Sequence, residues 1–301
     1  VQKAIRSTLI NSKDTAGLPQ CISNITWSLA HLHIVDLELL ELLCCRAISS
    51  MSGFKPYELS TLLWAFAKLR VVDSMADDLA DLFRVASHQI RGRLASFSFR
   101  SLANIAWAFA TAKQRDAALF SDLAREMCSS VHAAKCQEIG NTIWAFAVAG
   151  HRDCRLQHAL AQAALPLMNG FKAQEISNML WGFATNGYWH EEVFVQSIAM
   201  VIRIELVSQH VANILWACVR VMPKALAMTY VIRLVPLCTC RLGAFKPQEV
   251  SSTVHAIAKV ALAEEDEVAS LGPKMWFHED ILELLTALAQ WVAGRARVFS
   301  P

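Results

Sequence analysis

Two side-chain series recur along this chain at a spacing that could do chemistry. Indoles stand at Trp27, Trp64, Trp107, Trp144, Trp181 and Trp216, with His255 in a seventh, degenerate place. Aromatic faces of this kind can stack on unpaired bases in a sequence-tolerant way. Three residues before the anchor stand Asn24, Thr61, Asn104, Asn141, Asn178 and Asn213; seven before it stand Gln20, Tyr57, Arg100, Gln137, Gln174, Gln209 and Gln248. Amides of this kind can both donate to and accept from a polar ligand, and a position that changes from copy to copy can discriminate between ligands.

Catalytic chemistry finds less to work with. His31 and His33 form an HxH pair and His151 lies near Cys154, but there is no HExxH, no paired CxxC and no glycine-rich phosphate loop. These histidines read as surface or cap residues, and the cluster Asp77, Asp78 and Asp81 reads as a solvated helix face. No nucleophile, general base, metal set or cofactor site is assigned, and the chain is expected not to be an enzyme.

The elements that position these series follow from the repeat itself. One phrase recurs as NITWSLA from Asn24, TLLWAFA from Thr61, NIAWAFA from Asn104, NTIWAFA from Asn141, NMLWGFA from Asn178, NILWACV from Asn213 and STVHAIA from Ser252, at spacings of 37, 43, 37, 37, 35 and 39 residues. Periods in this range indicate stacked two-helix units. The expected fold is all-α, a right-handed α-solenoid of about seven two-helix repeats. Approximate boundaries are 18–53, 54–96, 97–133, 134–170, 171–205, 206–244 and 245–293, in one helical-repeat domain, with 1–17 as a partial repeat or cap.

Each first helix starts at a phrase such as GFKPYELS from Gly53, GFKAQEIS from Gly170 or AFKPQEVS from Ala244. Proline at a first helical turn costs no hydrogen bond, and Glu58, Glu138, Glu175 and Glu249 suit the positive end of the helix dipole. At about 100° per residue, the position before the Trp and the Phe two after it fall on a core face. Small residues three after the Trp and four before it make a groove for a neighbouring helix. The Gln, the Asn and the residue four after the Trp share a polar arc beside the indole; that last position reads His31, Lys68, Thr111, Val148, Thr185, Arg220 and Lys259. The 43-residue spacing places extra residues near His88 to Phe99, where Arg91, Arg93 and Arg100 cluster. Glu264 to Glu267 read as a solvated loop before a last helix from about Lys274 to Ala293.

Composition limits the remaining options. Hydrophobic residues make up 54% of the 301 residues, with 8 Pro and 11 Gly, which favours long helices and short turns. The longest run without Asp, Glu, Lys or Arg, Leu156 to Phe171, is too short and too polar to span a bilayer. Nine cysteines without a CxxC pair resemble buried thiols of a reducing compartment. The chain begins at Val1 without a signal-peptide pattern, as a processed or excised segment would. A net charge of +2 does not by itself point to nucleic acid.

The phrase [QR]-E-[ILV]-[SA]-N-x-x-W-A-F-A at this period resembles the octotricopeptide and heptatricopeptide repeat proteins, the latter related to the FAST-kinase-like proteins, from about Leu18 to Val292. The resemblance implies binding of single-stranded organellar RNA in transcript processing, stability, translation or ribosome assembly, with ribosomal or other ribonucleoprotein subunits as partners. It implies the mitochondrial matrix, with the plastid stroma as the alternative. The RAP domain that such proteins often carry is not expected within this chain. An Asn-x-x-Trp ladder is also similar to that of armadillo proteins, which hold an extended peptide, and a protein-interaction scaffold is the alternative function.

On this reading the candidate RNA contacts are the amide series, Tyr57, Thr61, and the changing residues His31, Lys68, Thr111, Thr185, Arg220 and Lys259. Arg100 joins them, and seven repeats would cover on the order of seven nucleotides. The Trp series is read as packing between repeats. For the Asn series, ligand contact and an inter-repeat hydrogen-bond ladder stand open together.

Overall fold

A computed structural model describes residues 17–71, 73–261 and 279–294. Fourteen α-helices run through these residues, with short 3₁₀ turns between pairs and no strand among them. The all-α expectation therefore holds. First helices of the repeats are α1 (Leu18–Leu32), α3 (Pro56–Leu69), α5 (Phe99–Thr111), α7 (Cys136–Val148), α9 (Ala173–Thr185), α11 (Ser208–Val221) and α13 (Pro247–Ala261). Second helices are α2 (Leu37–Ser49), α4 (Ala76–Arg91), α6 (Ala117–Ser130), α8 (Cys154–Ala164), α10 (Glu191–Val201), α12 (Lys224–Thr239) and α14 (Glu279–Gly294). The acidic loop read at Glu264 to Glu267 lies outside the described residues, as does the first part of the last helix as read from sequence.

Contacts divide the chain into two compact units, Val1–Leu160 and Ala161–Pro301. Within the first, α1 packs on α3, α3 on α5 and α5 on α7, while α2 packs on α4 and α4 on α6. Within the second, α9 packs on α11, α11 on α13 and α12 on α14. Each unit is thus two parallel rows of like helices, the packing of a helical-repeat solenoid.

Local chemistry fixes where each helix begins and ends. The Glu at the third position of the helix turns back so that its carboxylate accepts from the backbone N–H just before the helix: Lys55 to Glu58 at 2.9 Å, Lys135 to Glu138 at 3.0 Å, Lys172 to Glu175 at 2.9 Å and Lys246 to Glu249 at 2.9 Å. This satisfies a donor that the helix leaves orphaned. In the first five repeats the residue six after the Trp turns left-handed and ends the helix: His33, Arg70, Lys113, Gly150 and Gly187, with φ between 55° and 68°. Asp36, Asp116 and Asp153 then cap the second helices by accepting from the backbone N–H three residues on.

The core lies between the rows. Phe66, Phe109, Phe146 and Phe183, two after the Trp, are all buried. Phe109 meets Phe83 of the preceding second helix edge-on at 4.8 Å, and Phe146 meets Phe120 in the same way at 5.0 Å. The small residues four before and three after the Trp are buried where neighbouring first helices approach, from Ser23 and Ala30 through Ala212 and Val219. The long second repeat shares out its extra length rather than holding it near His88 to Phe99. Helix α4 has 16 residues against 14 for α6, and the connections on both sides of α4 are longer too.

Candidate nucleic-acid interface

Positions seven and three before the Trp, the Trp, and four after it recur every three or four residues, so they form one column along each first helix. The outermost member is open in every repeat: Gln20, Tyr57, Arg100, Gln137, Gln174, Gln209 and Gln248 are all exposed. At the other end His31, Lys68, Val148, Arg220 and Lys259 are exposed, while Thr111 and Thr185 are half-buried. Asn24 is exposed, and Thr61, Asn104, Asn141, Asn178 and Asn213 are half-buried.

The hydroxyls in this column are partly spoken for. Thr61 donates to the Tyr57 carbonyl at 2.7 Å and Thr185 to the Trp181 carbonyl at 2.8 Å. The Tyr57 hydroxyl donates to Glu58 at 3.0 Å, which pushes the phenol up from its ordinary value. The amides are freer. An inter-repeat bond is made by Asn213, whose Nδ2 donates to Ser177 Oγ at 3.4 Å. The side chains of Asn24, Asn104, Asn141 and Asn178 have no protein hydrogen-bond partner among the described residues and reach solvent, so their amides can serve a ligand without breaking the fold.

The indoles form a half-buried seam at the foot of the column. Ring centroids lie 6.2 Å apart for Trp64 and Trp107, 6.4 Å for Trp107 and Trp144, and 6.2 Å for Trp181 and Trp216, each pair inclined by 30° to 32°. Inclined rings this close leave no parallel slot for a base between them. Trp27 differs: it is 43% exposed and stacks on His31 at 4.7 Å and 19°. His255 is exposed.

Charge is distributed far less evenly than the net value suggests. Every carboxylate within the seven first helices is one of the four glutamates bound to a backbone N–H, whereas the second helices carry Glu38, Glu41, Asp77, Asp81, Glu126, Glu191 and Glu192 on exposed or partly exposed positions. Lys68, Arg100, Arg220 and Lys259 therefore stand on the first helices without a free acid on their own element. The sequence reading missed a further row: Lys55, Lys135, Lys172 and Lys246 are exposed residues immediately preceding first helices. Arg70, Lys113, Arg115 and Arg152 are exposed just beyond the other ends. The lysines were visible in the FK phrases that introduce several copies; a whole-chain charge count averages them away.

The arginine cluster separates into three roles. Arg91 bonds Asp122 at 2.7 Å on the second-helix side, which holds that carboxyl below its usual range. Arg93 donates to the Phe54 carbonyl at 2.8 Å, as Arg241 does to the Leu206 carbonyl at 2.9 Å in the equivalent place, so each ties the end of a repeat to its own start. Arg100 alone of the three belongs to the column. His33 ends α1, and His151 packs against Phe120 and Phe146. Among the described residues no group of His, Cys, Asp or Glu is placed to hold a metal ion, and no helix is long and apolar enough to cross a membrane. Cys44, Cys218 and Cys238 are buried, and burial pushes each thiol up to about 12.

Residues 75–222 match the family described as RESC6: RNA-editing substrate-binding complex 6 protein. Over that stretch, just under half of its length, this helical-repeat protein is similar to that family. The matched stretch runs from the start of α4 to the end of α11, and so takes in the central amide columns together with Arg100 and Arg220. No curated protein matches the chain.

Proposed function

We propose that this chain is a non-catalytic, RNA-binding subunit of an RNA-editing substrate-binding complex in the mitochondrion, and that it holds single-stranded RNA along the columns of its first helices. The observation that carries this reading is the RESC6 match over a stretch whose first helices present open amides and uncompensated cations. The octotricopeptide and heptatricopeptide likeness of the repeat phrase points to the same ligand class. Lys and Arg at Lys68, Arg100, Arg220 and Lys259 meet phosphates. The Gln and Asn positions meet sugar and base edges, and the changing residue four after the Trp gives each repeat its own preference.

The test is crosslinking and sequencing of RNA bound to the protein in its own cells, followed by titration of the recovered sequence at two salt concentrations. Lys68→Ala and Arg220→Ala each weaken binding and flatten the salt slope by roughly 0.7 per lost cation. Removing Arg84 and Arg125, which pair with Asp81 and Asp122 on the second helices, leaves binding unchanged. Recovery of a protein partner without enriched RNA overturns the reading in favour of a peptide-binding scaffold.

A further inference from the structure

The outermost place of the column carries an amide in five first helices, a guanidinium in α5 and an aromatic ring in α3. Of the chain's three tyrosines, Tyr188 and Tyr230 are half-buried, and Tyr188 lies against Phe183 at 5.0 Å. Tyr57 is 52% exposed, at the place where Gln20, Gln137, Gln174, Gln209 and Gln248 stand in their own helices. Among the described residues no other ring and no cation lies over it, whereas the open face of Trp27 is taken by His31.

The ring is also held in place. Its hydroxyl donates to one oxygen of the Glu58 carboxylate at 3.0 Å, and the other oxygen accepts from the Lys55 N–H at 2.9 Å. Glu58 is buried, and its carbonyl accepts from Ser23 of the preceding repeat at 3.0 Å, so the acid that holds the ring is itself fixed. Glu138, Glu175 and Glu249 form the same helix cap, but the residue before each is Gln and offers no ring. A face that is fixed before its ligand arrives loses little freedom on binding.

We propose that Tyr57 is the stacking platform for one unpaired nucleobase. The inference rests on the RNA-binding reading and adds to it the place where the strand is gripped by a base rather than by its phosphates. The neighbouring indoles do not compete for this role, since Trp64 and Trp107 are half-buried and inclined to each other by 32°. Cations stand around the ring: Lys55 two residues before it, Lys68 farther along α3 and Arg100 at the same place on α5 are all exposed. An aromatic face for a base beside cations for the backbone is the combination that holds single strands. A base stacked inside a duplex has both faces covered, so the strand must be unpaired where it meets Tyr57.

Binding of an oligouridylate of about twelve nucleotides and of an abasic ribose-phosphate strand of the same length to the full chain tests this, with Tyr57→Gln, Tyr57→Phe and Lys68→Ala as variants. Tyr57→Gln uses the side chain that five repeats already carry there, so the fold is kept, and circular dichroism checks it. It should weaken oligouridylate binding at least about fivefold, the lower end of what stacking one base contributes, and leave binding of the abasic strand unchanged. Tyr57→Phe keeps the ring and loses less. Lys68→Ala weakens binding of both strands, and ultraviolet crosslinking of the wild type to oligouridylate places an adduct on Tyr57. Equal losses on the two strands with Tyr57→Gln, or no loss on either, overturn the stacking role. If Lys68→Ala still weakens both strands in that case, the RNA-binding reading stands without it; if neither substitution weakens either strand, that reading falls as well.

Discussion

First and second helices share one repeat but obey different constraints. The first helices are near-copies: most hold Trp, Asn and Gln in one column, four of the seven start on a lysine-glutamate phrase, and their only carboxylates are bound to backbone. The second helices keep only their apolar spacing, and in the remaining positions they mix acids, bases and amides. A helix that only covers a core is free to vary on its outer side, whereas one that carries a ligand column is held on both sides. On the proposed function, the first row makes the RNA contacts and the second row supports it.

The seam where the two rows meet is the largest target. Phe109 is 1% exposed and its ring meets Phe83 edge-on, so Phe109→Ala removes contacts from both rows at once. Unfolding in urea should show a loss of about 3–5 kcal/mol. A loss under about 1 kcal/mol would mean that the rows do not depend on each other there.

A smaller and opposite effect is expected at Gln157, where a second helix breaks its own rule. Thirteen residues after the Trp, α2, α6 and α10 bury Leu40, Phe120 and Phe194; α8 buries Gln157 at 4% exposure with neither amide atom bonded among the described residues. A buried amide without partners forfeits its hydration and gains nothing in return. Gln157→Leu should raise the urea midpoint by an amount equivalent to about 1–3 kcal/mol. No gain would show that the amide is satisfied in solution.

How much of this was legible in the residues depended on whether the signal was periodic. The seven anchors, the core Phe and the small groove positions repeat at a fixed register, so a helical wheel places them, and the column of Gln20, Asn24 and their counterparts emerges on one face. The caps at Asp36, Asp116 and Asp153 carried a plain local signal, an acid three residues before an apolar run. The charge segregation was hidden because it depends on which acids are spent on backbone. Glu58 and Glu249 count as full negative charges in the sequence, yet each is buried and bonded to an N–H. Gln157 gave no signal, since a lone Gln in a helix reads as surface until the row packed against it is seen.

The smallest predicted effect sharpens the comparison within the first row. Helix α11 has His210 where four others have the capping Glu, and the Val207 N–H donates to its Nδ1 at 3.5 Å. That bond requires an unprotonated ring nitrogen, and burial lowers the ring's pKa below its ordinary value. The unfolded chain then takes up a proton that the folded ring resists, so stability falls as pH drops from the ordinary histidine range, about 6.5, through the folded value, and is independent of this group above it. His210→Glu replaces the ring with the carboxylate used elsewhere in the row and should flatten this part of the pH dependence. Urea midpoints at pH 7.5 and 5.5 separate the cases: a smaller drop in the variant assigns the dependence to the cap, and an equal drop assigns it to the other histidines.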